Sequence, residues 1–292
     1  MVIQWFPGHM AKATREVKEK LKLVDIVFEL VDARCPLSSH NMYLDEVVKD
    51  KKKIIIFNKI DLCDRKETAK WKNYFENKGY VVVYTDAKNS NNLNKVIDKA
   101  KEELAEKIAR QVSKGIKPRA IRSMVIGVPN VGKSTFINKL IKKNVANTAN
   151  KPGVTKKQQW LKLNKDIELL DTPGILMPKF DNQEIGKKLS LIGSIRDDIT
   201  PLDDVSLYLI ELLKNNYLEN LNNHYKLNVK AEDENLTIME KIAEKRFKKI
   251  GGDYDYDSTI KLLIQDFRTQ KFGLITLDNY NGIVNNEENY ED

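Results

Sequence analysis

Short apolar runs alternate with stretches of helical periodicity along the first 180 residues of the chain. The runs end in polar turns, which predicts buried strands at residues 25–31, 53–57, 81–84 and 121–126. Apolar positions spaced three and four apart predict helices at residues 11–23, 42–49, 67–77, 93–112 and 135–143. This alternation predicts an α/β fold: a mostly parallel sheet flanked by helices, with a site outside the carboxyl ends of the strands.

The pattern changes near residue 180. Paired strands are predicted at residues 158–163 and 167–170, and after them only helical spacing is found, at residues 184–194, 203–214, 236–249 and 258–271. We therefore predict two domains, an α/β domain over residues 1–180 and a smaller all-helical domain over residues 181–292. Residues 281–292 are acidic and rich in Asn, and we expect them to be frayed or disordered.

The composition is that of a soluble chain of 292 residues. Its two cysteines, Cys35 and Cys63, cannot form a disulfide framework and lack metal-ligand spacing, which favours a reducing, cytoplasmic compartment. The amino terminus has no export-signal pattern, and no apolar run approaches membrane-spanning length. We expect a cytoplasmic protein that does not span a membrane and is a monomer in solution.

The stretch from Gly127 to Ser134 fits the phosphate-loop pattern G-x-x-x-x-G-K-[ST] between a predicted strand and a predicted helix. Its glycines let backbone N–H groups face a chain of phosphates, Lys133 reaches the β and γ oxygens, and the Ser134 hydroxyl can ligate Mg²⁺. The alternative is a chance match in a turn, which the flanking elements disfavour. The predicted phosphate-binding residues are Asn130, Val131, Gly132, Lys133, Ser134 and Thr135.

A second motif, Asn58-Lys59-Ile60-Asp61, follows the clearest apolar strand. An Asp61 carboxylate can accept from both N1–H and the exocyclic amine of guanine, and adenine offers no such pair of donors. Asn58 would hold the loops together and Lys59 would lie along the base. The polar cluster after the next strand, Asp86-Ala87-Lys88, would close the other side of the guanine pocket. Such a motif is common in turns by itself, and the phosphate loop makes it informative.

A third motif, D-x-x-G, runs from Asp171 to Gly174 after the last predicted strand. By the phosphoryl-transfer template, Ser134 and Thr155 complete the Mg²⁺ shell, Asp171 holds the ion through a water, and Gly174 donates its N–H to the γ-phosphate. Thr148 is the alternative to Thr155. The predicted catalytic groups here are Lys133, Thr155 and Gly174. The residue after Gly174 is Ile175, which cannot orient an attacking water, so we expect slow intrinsic turnover that needs another group.

The order of the motifs is unusual, because the guanine motifs at residues 58 and 86 precede the phosphate loop at residue 127. In ordinary small GTPases the phosphate loop comes first. The cyclic order is kept, and a circular permutation preserves strand neighbours while it moves the chain ends. The segment after Gly174, which is expected to respond to the γ-phosphate, now leads directly into the helical domain. Movement at the γ-phosphate can therefore pass to residues 181–292.

Charge is distributed unevenly. Residues 1–180 carry 36 Lys and Arg against 20 Asp and Glu, whereas residues 181–292 carry 14 against 22. Residues 107–165 contain 15 basic and no acidic side chains, more than one nucleotide needs. A larger polyanion such as RNA is the predicted partner, and a solvated basic face is the alternative.

These features, with Pro7-Gly8-His9-Met10 near the start and Asp32-Ala33-Arg34 after the first strand, closely resemble the circularly permuted bacterial GTPases of ribosome assembly. The resemblance implies GTP and GDP as ligands and Mg²⁺ as cofactor. It also implies binding to the rRNA of a late large-subunit precursor, particle-stimulated hydrolysis and release. His9 lies in the turn that the resemblance marks as catalytic. Asn130 resembles the phosphate-loop asparagine of potassium-stimulated GTPases, which implies a K⁺ site.

Two other functions stay open from the sequence. One is an RNA-binding scaffold that uses GTP as an on/off ligand, with incidental hydrolysis. The other is a GTPase directed to the small subunit or to transfer RNA, which the permuted order disfavours.

Overall fold

The computed structural model describes residues 15, 17–144, 160–163, 166–170, 182–249 and 251–283. Six strands within these ranges form one sheet. They are β1 Ile26–Asp32, β2 Lys52–Asn58, β3 Val81–Tyr84, β4 Ile121–Ile126, β5 Trp160–Lys162 and β6 Ile167–Leu170. The predicted strands are therefore present, with shifts of one or two residues at most ends.

The strand order is β3-β2-β1-β4-β6-β5. All neighbouring pairs are parallel except β5 and β6, which are antiparallel. The strand before the phosphate loop, β4, lies between β1 and β6, and the strand before the Asn58 motif, β2, lies next to β1. The carboxyl ends of parallel strands share one edge, so the loops after β1, β2, β3 and β4 meet there.

Helices in the first part of the chain connect the strands and cover the sheet. They are α1 Pro36–Ser39, α2 Met42–Val48, α3 Arg65–Asn77, α4 Leu93–Ser113 and α5 Lys133–Asn144. The start of α3 is fixed by Asp64, whose carboxylate accepts from the N–H of Lys66 and of Glu67. Its buried face carries Trp71 and Phe75 against the sheet. The short helix α1 was not predicted, because a helix of four residues has no periodicity to detect.

The region after residue 182 is helical, and no strand occurs in its described residues. Its helices are α6 Gln183–Leu191, α7 Leu202–Asn216, α8 Leu218–Tyr225, α9 Asn235–Arg246 and α10 Tyr256–Arg268. The predicted helix at residues 184–194 ends earlier, since Gly193 has φ of +76° and closes the last turn. The division of the chain at residue 180 stays a prediction.

The carboxyl-terminal segment returns to the α/β part. Asp278 is fully buried, and its carboxylate accepts from the N–H (2.9 Å) and hydroxyl (2.6 Å) of Ser38 and pairs with Lys188 at 3.2 Å. Trp71 donates its ring N–H to the Asp278 carbonyl. Residues 281–283, expected to be frayed, instead form a helical turn. Ile283 in this turn packs against the apolar cluster that contains Trp71 and Phe75.

A buried charge network joins β1 to α2. Glu29 lies at the centre of β1, and His40 bridges it (3.0 Å) to Asp45 (2.9 Å). The ammonium of Lys53 binds both carboxylates. Burial lowers the pKa of His40 by itself, but Glu29 and Asp45 outweigh that effect and raise it to about 9. His40 and Lys53 balance the charge of the two carboxylates. We therefore interpret this group as a structural cluster and not as a metal site.

Stability should depend on His40 at alkaline pH. Because its folded pKa is about 9 and its ordinary value 6.5, the stabilisation is complete below 6.5 and is lost as pH rises through 9. We expect the free energy of unfolding in urea to fall between about pH 6 and about pH 9. The fall should be shallower in His40→Gln, and equal slopes in both proteins would contradict this assignment.

No helix among the described residues is both long and apolar enough to cross a membrane. Cys35 and Cys63 are free and buried. Burial raises the pKa of both thiols, that of Cys63 to about 11, so neither is a reactive thiolate at neutral pH.

Candidate nucleotide-binding site

The phosphate loop connects β4 to α5 at the carboxyl edge of the sheet. Both pattern glycines have positive φ, +146° at Gly127 and +99° at Gly132. A Cβ on Gly127 would lie 2.4 Å from the Leu30 carbonyl oxygen, and one on Gly132 would lie 2.5 Å from Nδ2 of Asn58. Glycine is therefore required at both positions by backbone conformation and by space.

Lys133 begins α5 and folds back over the loop. Its ammonium donates to the carbonyl oxygens of Gly127 (2.9 Å) and Val128 (2.8 Å). Ser134 and Thr135 are exposed in the first turn of α5, and Val131 is buried below them. A lysine ammonium thus lies over the loop at the N-terminus of α5, which is an arrangement suited to phosphate.

Asn58 ties the phosphate loop to the base-reading loops. It is 2% exposed, and its Nδ2 donates to the Val131 carbonyl at 2.8 Å. Its Oδ1 accepts from the Thr85 hydroxyl and from the N–H of Ala87, both at 3.1 Å. One carboxamide therefore joins three loops, as the sequence predicts for this residue.

Lys59 makes a second link between the same loops. It has φ of +61°, and its ammonium donates to Oδ2 of Asp32 (2.9 Å) and to the Asn130 carbonyl (2.7 Å). Asp32 is fully buried and also receives Nε and Nη2 of Arg34, each at 2.9 Å. Burial favours the neutral acid, but Arg34 and Lys59 hold the pKa of Asp32 well below its usual range. Asp32 is a positioning group that the motif spacing alone does not reveal.

The remaining guanine-pocket residues lie on the loops after β2 and β3. Asp61 is partly buried, and its carbonyl accepts from the side chain of Gln270 at 3.2 Å. The Asp86 carboxylate binds Asn89 through its N–H (3.1 Å) and its amide (2.6 Å), which fixes the turn that presents exposed Lys88. Guanine binding by Asp61, Asp86, Ala87 and Lys88 stays a prediction.

Four predicted functional residues lie outside the described residues: His9, Thr155, Asp171 and Gly174. Their assigned roles stay predictions, as does the role of Ile175. Of the three proposed Mg²⁺ ligands, only Ser134 is described.

The phosphate loop also contacts the helical region, which no motif predicts. Asn130 has φ of +60°, and its Nδ2 donates to the Gly193 carbonyl. The Ser194 hydroxyl donates to the Pro129 carbonyl at 2.6 Å. The turn after α6 is therefore bonded to the outer side of the phosphate loop.

The fold and these loops together define a P-loop GTPase domain with circularly permuted elements. A family model described as 50S ribosome-binding GTPase matches residues 122–245, and one described as RsgA GTPase matches residues 21–181. The protein is 48% identical over 279 residues to Ribosome biogenesis GTPase A of Bacillus licheniformis, covering 95% of this chain and 98% of that one. The chain belongs to the ribosome biogenesis GTPase A family.

Solved structures agree with this family. The GDP-bound structure of TM YlqF is 27% identical, with a TM-score of 0.64 over 91% of this chain and 99% of its own. The GNP-bound YlqF from T. maritima is 28% identical, with a TM-score of 0.62 over 92% of this chain and 98% of its own. The predicted fold class and the resemblance are thereby confirmed, and hydrolysis of GTP in ribosome assembly is the activity of this family.

Proposed function

We propose that this protein binds a late precursor of the large ribosomal subunit, promotes its maturation, and leaves after particle-stimulated GTP hydrolysis. The observation that carries the nucleotide part is the triple link made by Asn58, which holds the phosphate loop and the base loops as one site. Support for the large subunit comes from family membership and from the model described as 50S ribosome-binding GTPase. We place the activity in the cytoplasm and expect a monomer.

Lys133 has the central part in phosphate binding. Its two bonds to loop carbonyls keep the ammonium over the loop, where it can exchange them for the β and γ oxygens of GTP. The N–H groups of Gly132 and its neighbours then stabilise charge that develops at the β–γ bridge. Asp61 fixes the guanine base, and Lys59 and Asn58 keep base and phosphate loops in register.

Mg²⁺ suits the oxygen donors that the chain offers, because Ser134, Thr155 and Asp171 are all hard ligands and Ser134 is exposed beside Lys133. When bound, the ion supplies positive charge to the β and γ oxygens. K⁺ would be held by the Asn130 carboxamide oxygen, since Nδ2 of the same group is engaged with Gly193.

Water activation needs a group other than Ile175, and we assign it to His9. If His9 acts on the γ-phosphate site only when the particle is bound, hydrolysis depends on particle binding. Gly174 and Thr155 would complete the γ-phosphate contacts in that state.

RNA binding is supported by a basic surface at the opposite edge of the sheet. Lys107 and Arg119 both pair with Asp25, directly before β1, and β4 begins two residues after Arg119. Lys114 and Lys117 belong to the connection between α4 and β4 and are exposed, and within the described ranges their ammonium groups have no ion pair. This surface lies at the amino ends of the strands, away from the phosphate loop.

Exchanging Lys114 and Lys117 for Ala should weaken binding to large-subunit precursor particles while GTP hydrolysis without particles is unchanged. Each lost phosphate contact should reduce the slope of log affinity against log salt by about 0.7–0.9. Co-sedimentation with a non-hydrolysable GTP analogue at several salt concentrations measures this slope. The matched control replaces Lys248 and Lys271, which are exposed lysines of the helical region.

The control pair should bind as the wild type does. If the Lys114 and Lys117 pair also leaves affinity and salt slope unchanged, this surface does not contact RNA. Co-sedimentation of the wild type with small subunits instead would overturn the proposal and favour the GTP-switched scaffold on another particle.

A further inference from the structure

The end of α10 and the residues just after it contact two elements of the nucleotide site directly and a third through one turn. Phe267 is buried under Arg34, whose Cζ lies 5.3 Å from the ring centroid. Gln270, with φ of +61°, donates to the Asp61 carbonyl. Arg268, between them, donates to carbonyls at the carboxyl end of α6, directly before the turn that bonds to the phosphate loop. One helix end is therefore in contact with the base loop, the Asp32–Arg34 pair and, through one turn, the phosphate loop.

Arg268 uses its whole guanidinium to hold that turn. Nη2 donates to the Ser190 carbonyl at 2.7 Å and Nε to the Leu191 carbonyl at 3.1 Å. Nη1 and Nη2 also bind both carboxylate oxygens of Asp197, at 2.8 and 2.7 Å. This planar, multi-donor geometry is one that Lys cannot reproduce. It caps the carboxyl end of α6 and fixes where the chain turns.

The residues that follow are those that contact the phosphate loop. A Cβ added to Gly193 would lie 4.0 Å from Cζ of Arg268 and 3.9 Å from Nδ2 of Asn130, so both side chains lie near this glycine. The Gly193 carbonyl accepts from Asn130, and Ser194 donates to Pro129. Arg268 is thus linked to the phosphate loop through the carboxyl end of α6 and the Gly193–Ser194 turn.

We propose that Arg268 is a positioning residue for GTP hydrolysis, which acts by holding the Gly193–Ser194 turn against Pro129 and Asn130. Asn130 has φ of +60°, a left-handed conformation in which its peptide group orients the following N–H groups of the phosphate loop, and its bond to Gly193 helps to keep that conformation. The bond from Nδ2 to Gly193 also fixes which way the carboxamide faces. This inference rests on the proposed nucleotide site.

The test compares Arg268→Ala with Arg196→Ala, in the full chain, by GTP hydrolysis without particles and by GTP and GDP affinity. Arg196 is a matched control, because among the described residues its side chain pairs only with exposed Asp198, beside the same turn. We expect kcat in Arg268→Ala to fall by about 3- to 30-fold, with Arg196→Ala unchanged. The ratio of GTP to XTP affinity should stay as in the wild type, because the base loop keeps the Asp61 carboxylate.

A double-mutant cycle separates positioning from general loss of structure. If Arg268 acts through Asn130, adding Arg268→Ala to Asn130→Ala should cost little beyond Asn130→Ala alone. Ser194→Ala removes only the hydrogen bond from the Ser194 hydroxyl to Pro129, so we expect a smaller fall in kcat. This small change also has little effect on folding.

The outcomes are distinct. Full additivity in the cycle, or equal kcat for Arg268→Ala, Arg196→Ala and wild type, would overturn the role of Arg268. Lys133→Ala provides the separate check on the site itself. If Lys133→Ala binds GTP normally, the assignment of the phosphate site is wrong. If Lys133→Ala loses GTP binding but Arg268→Ala has normal kcat, only the positioning role of Arg268 is rejected.

Discussion

Asp61→Asn should convert the protein from a GTP-binding to an XTP-binding protein. The carboxylate is expected to accept from N1–H and from the exocyclic amine of guanine, and these are charge-assisted bonds that contribute about 1.5–3 kcal/mol each. The substitution should lower GTP affinity by about 100-fold or more. An asparagine amide can instead donate to the oxygen that xanthine has in place of the amine, so XTP affinity should rise.

Competition binding with GTP, XTP and ATP measures this change. The control is Asp64→Asn, three residues away, which alters the cap of α3 and should leave nucleotide preference unchanged. If ATP competes as well as GTP for the wild type, or if Asp61→Asn retains its preference for GTP, the assignment of the guanine pocket is wrong.

His9→Ala should abolish stimulation of hydrolysis by the particle. A positioned acid–base group contributes about 100- to 10,000-fold to rate, and Ile175 offers no substitute. GTP affinity should be unchanged, because the phosphate and guanine loops do not include His9. The variant should therefore remain on the precursor particle with GTP bound, and release should be lost.

Single-turnover hydrolysis on the particle and release after GTP addition measure the two effects. His9→Gln separates two roles, since glutamine can orient a water but cannot exchange a proton at neutral pH. Partial rescue by His9→Gln would indicate orientation. Normal release in His9→Ala would rule out the assignment of His9.

Most of the sheet was predictable because its strands are short apolar runs with marked ends. Val81–Tyr84 and Ile121–Ile126 were predicted without error, and the phosphate loop needed only its pattern. The helix Leu218–Tyr225 was missed, since eight residues joined to α7 at Tyr217 give too little periodicity to separate from it. Predicted helix ends after residue 182 were wrong by up to three residues.

The long-range contacts outside the motifs were not predictable from the sequence. Asn58 and Lys59 were found because the motif is local, although their bonds reach residues more than 70 positions away. The contact of Gly193 and Ser194 with the phosphate loop has no motif of its own, and a glycine after a helix usually indicates only a cap. His40 shows the same limit, because the sequence gives no sign that it joins two buried carboxylates.

The rate of GTP hydrolysis with and without ribosomal particles tests the central claim most directly. The protein should turn over slowly alone, be stimulated by an immature large-subunit particle, and be unaffected by small subunits. A rate that is the same with and without the large-subunit precursor, or one that rises only with small subunits, would contradict the proposed function.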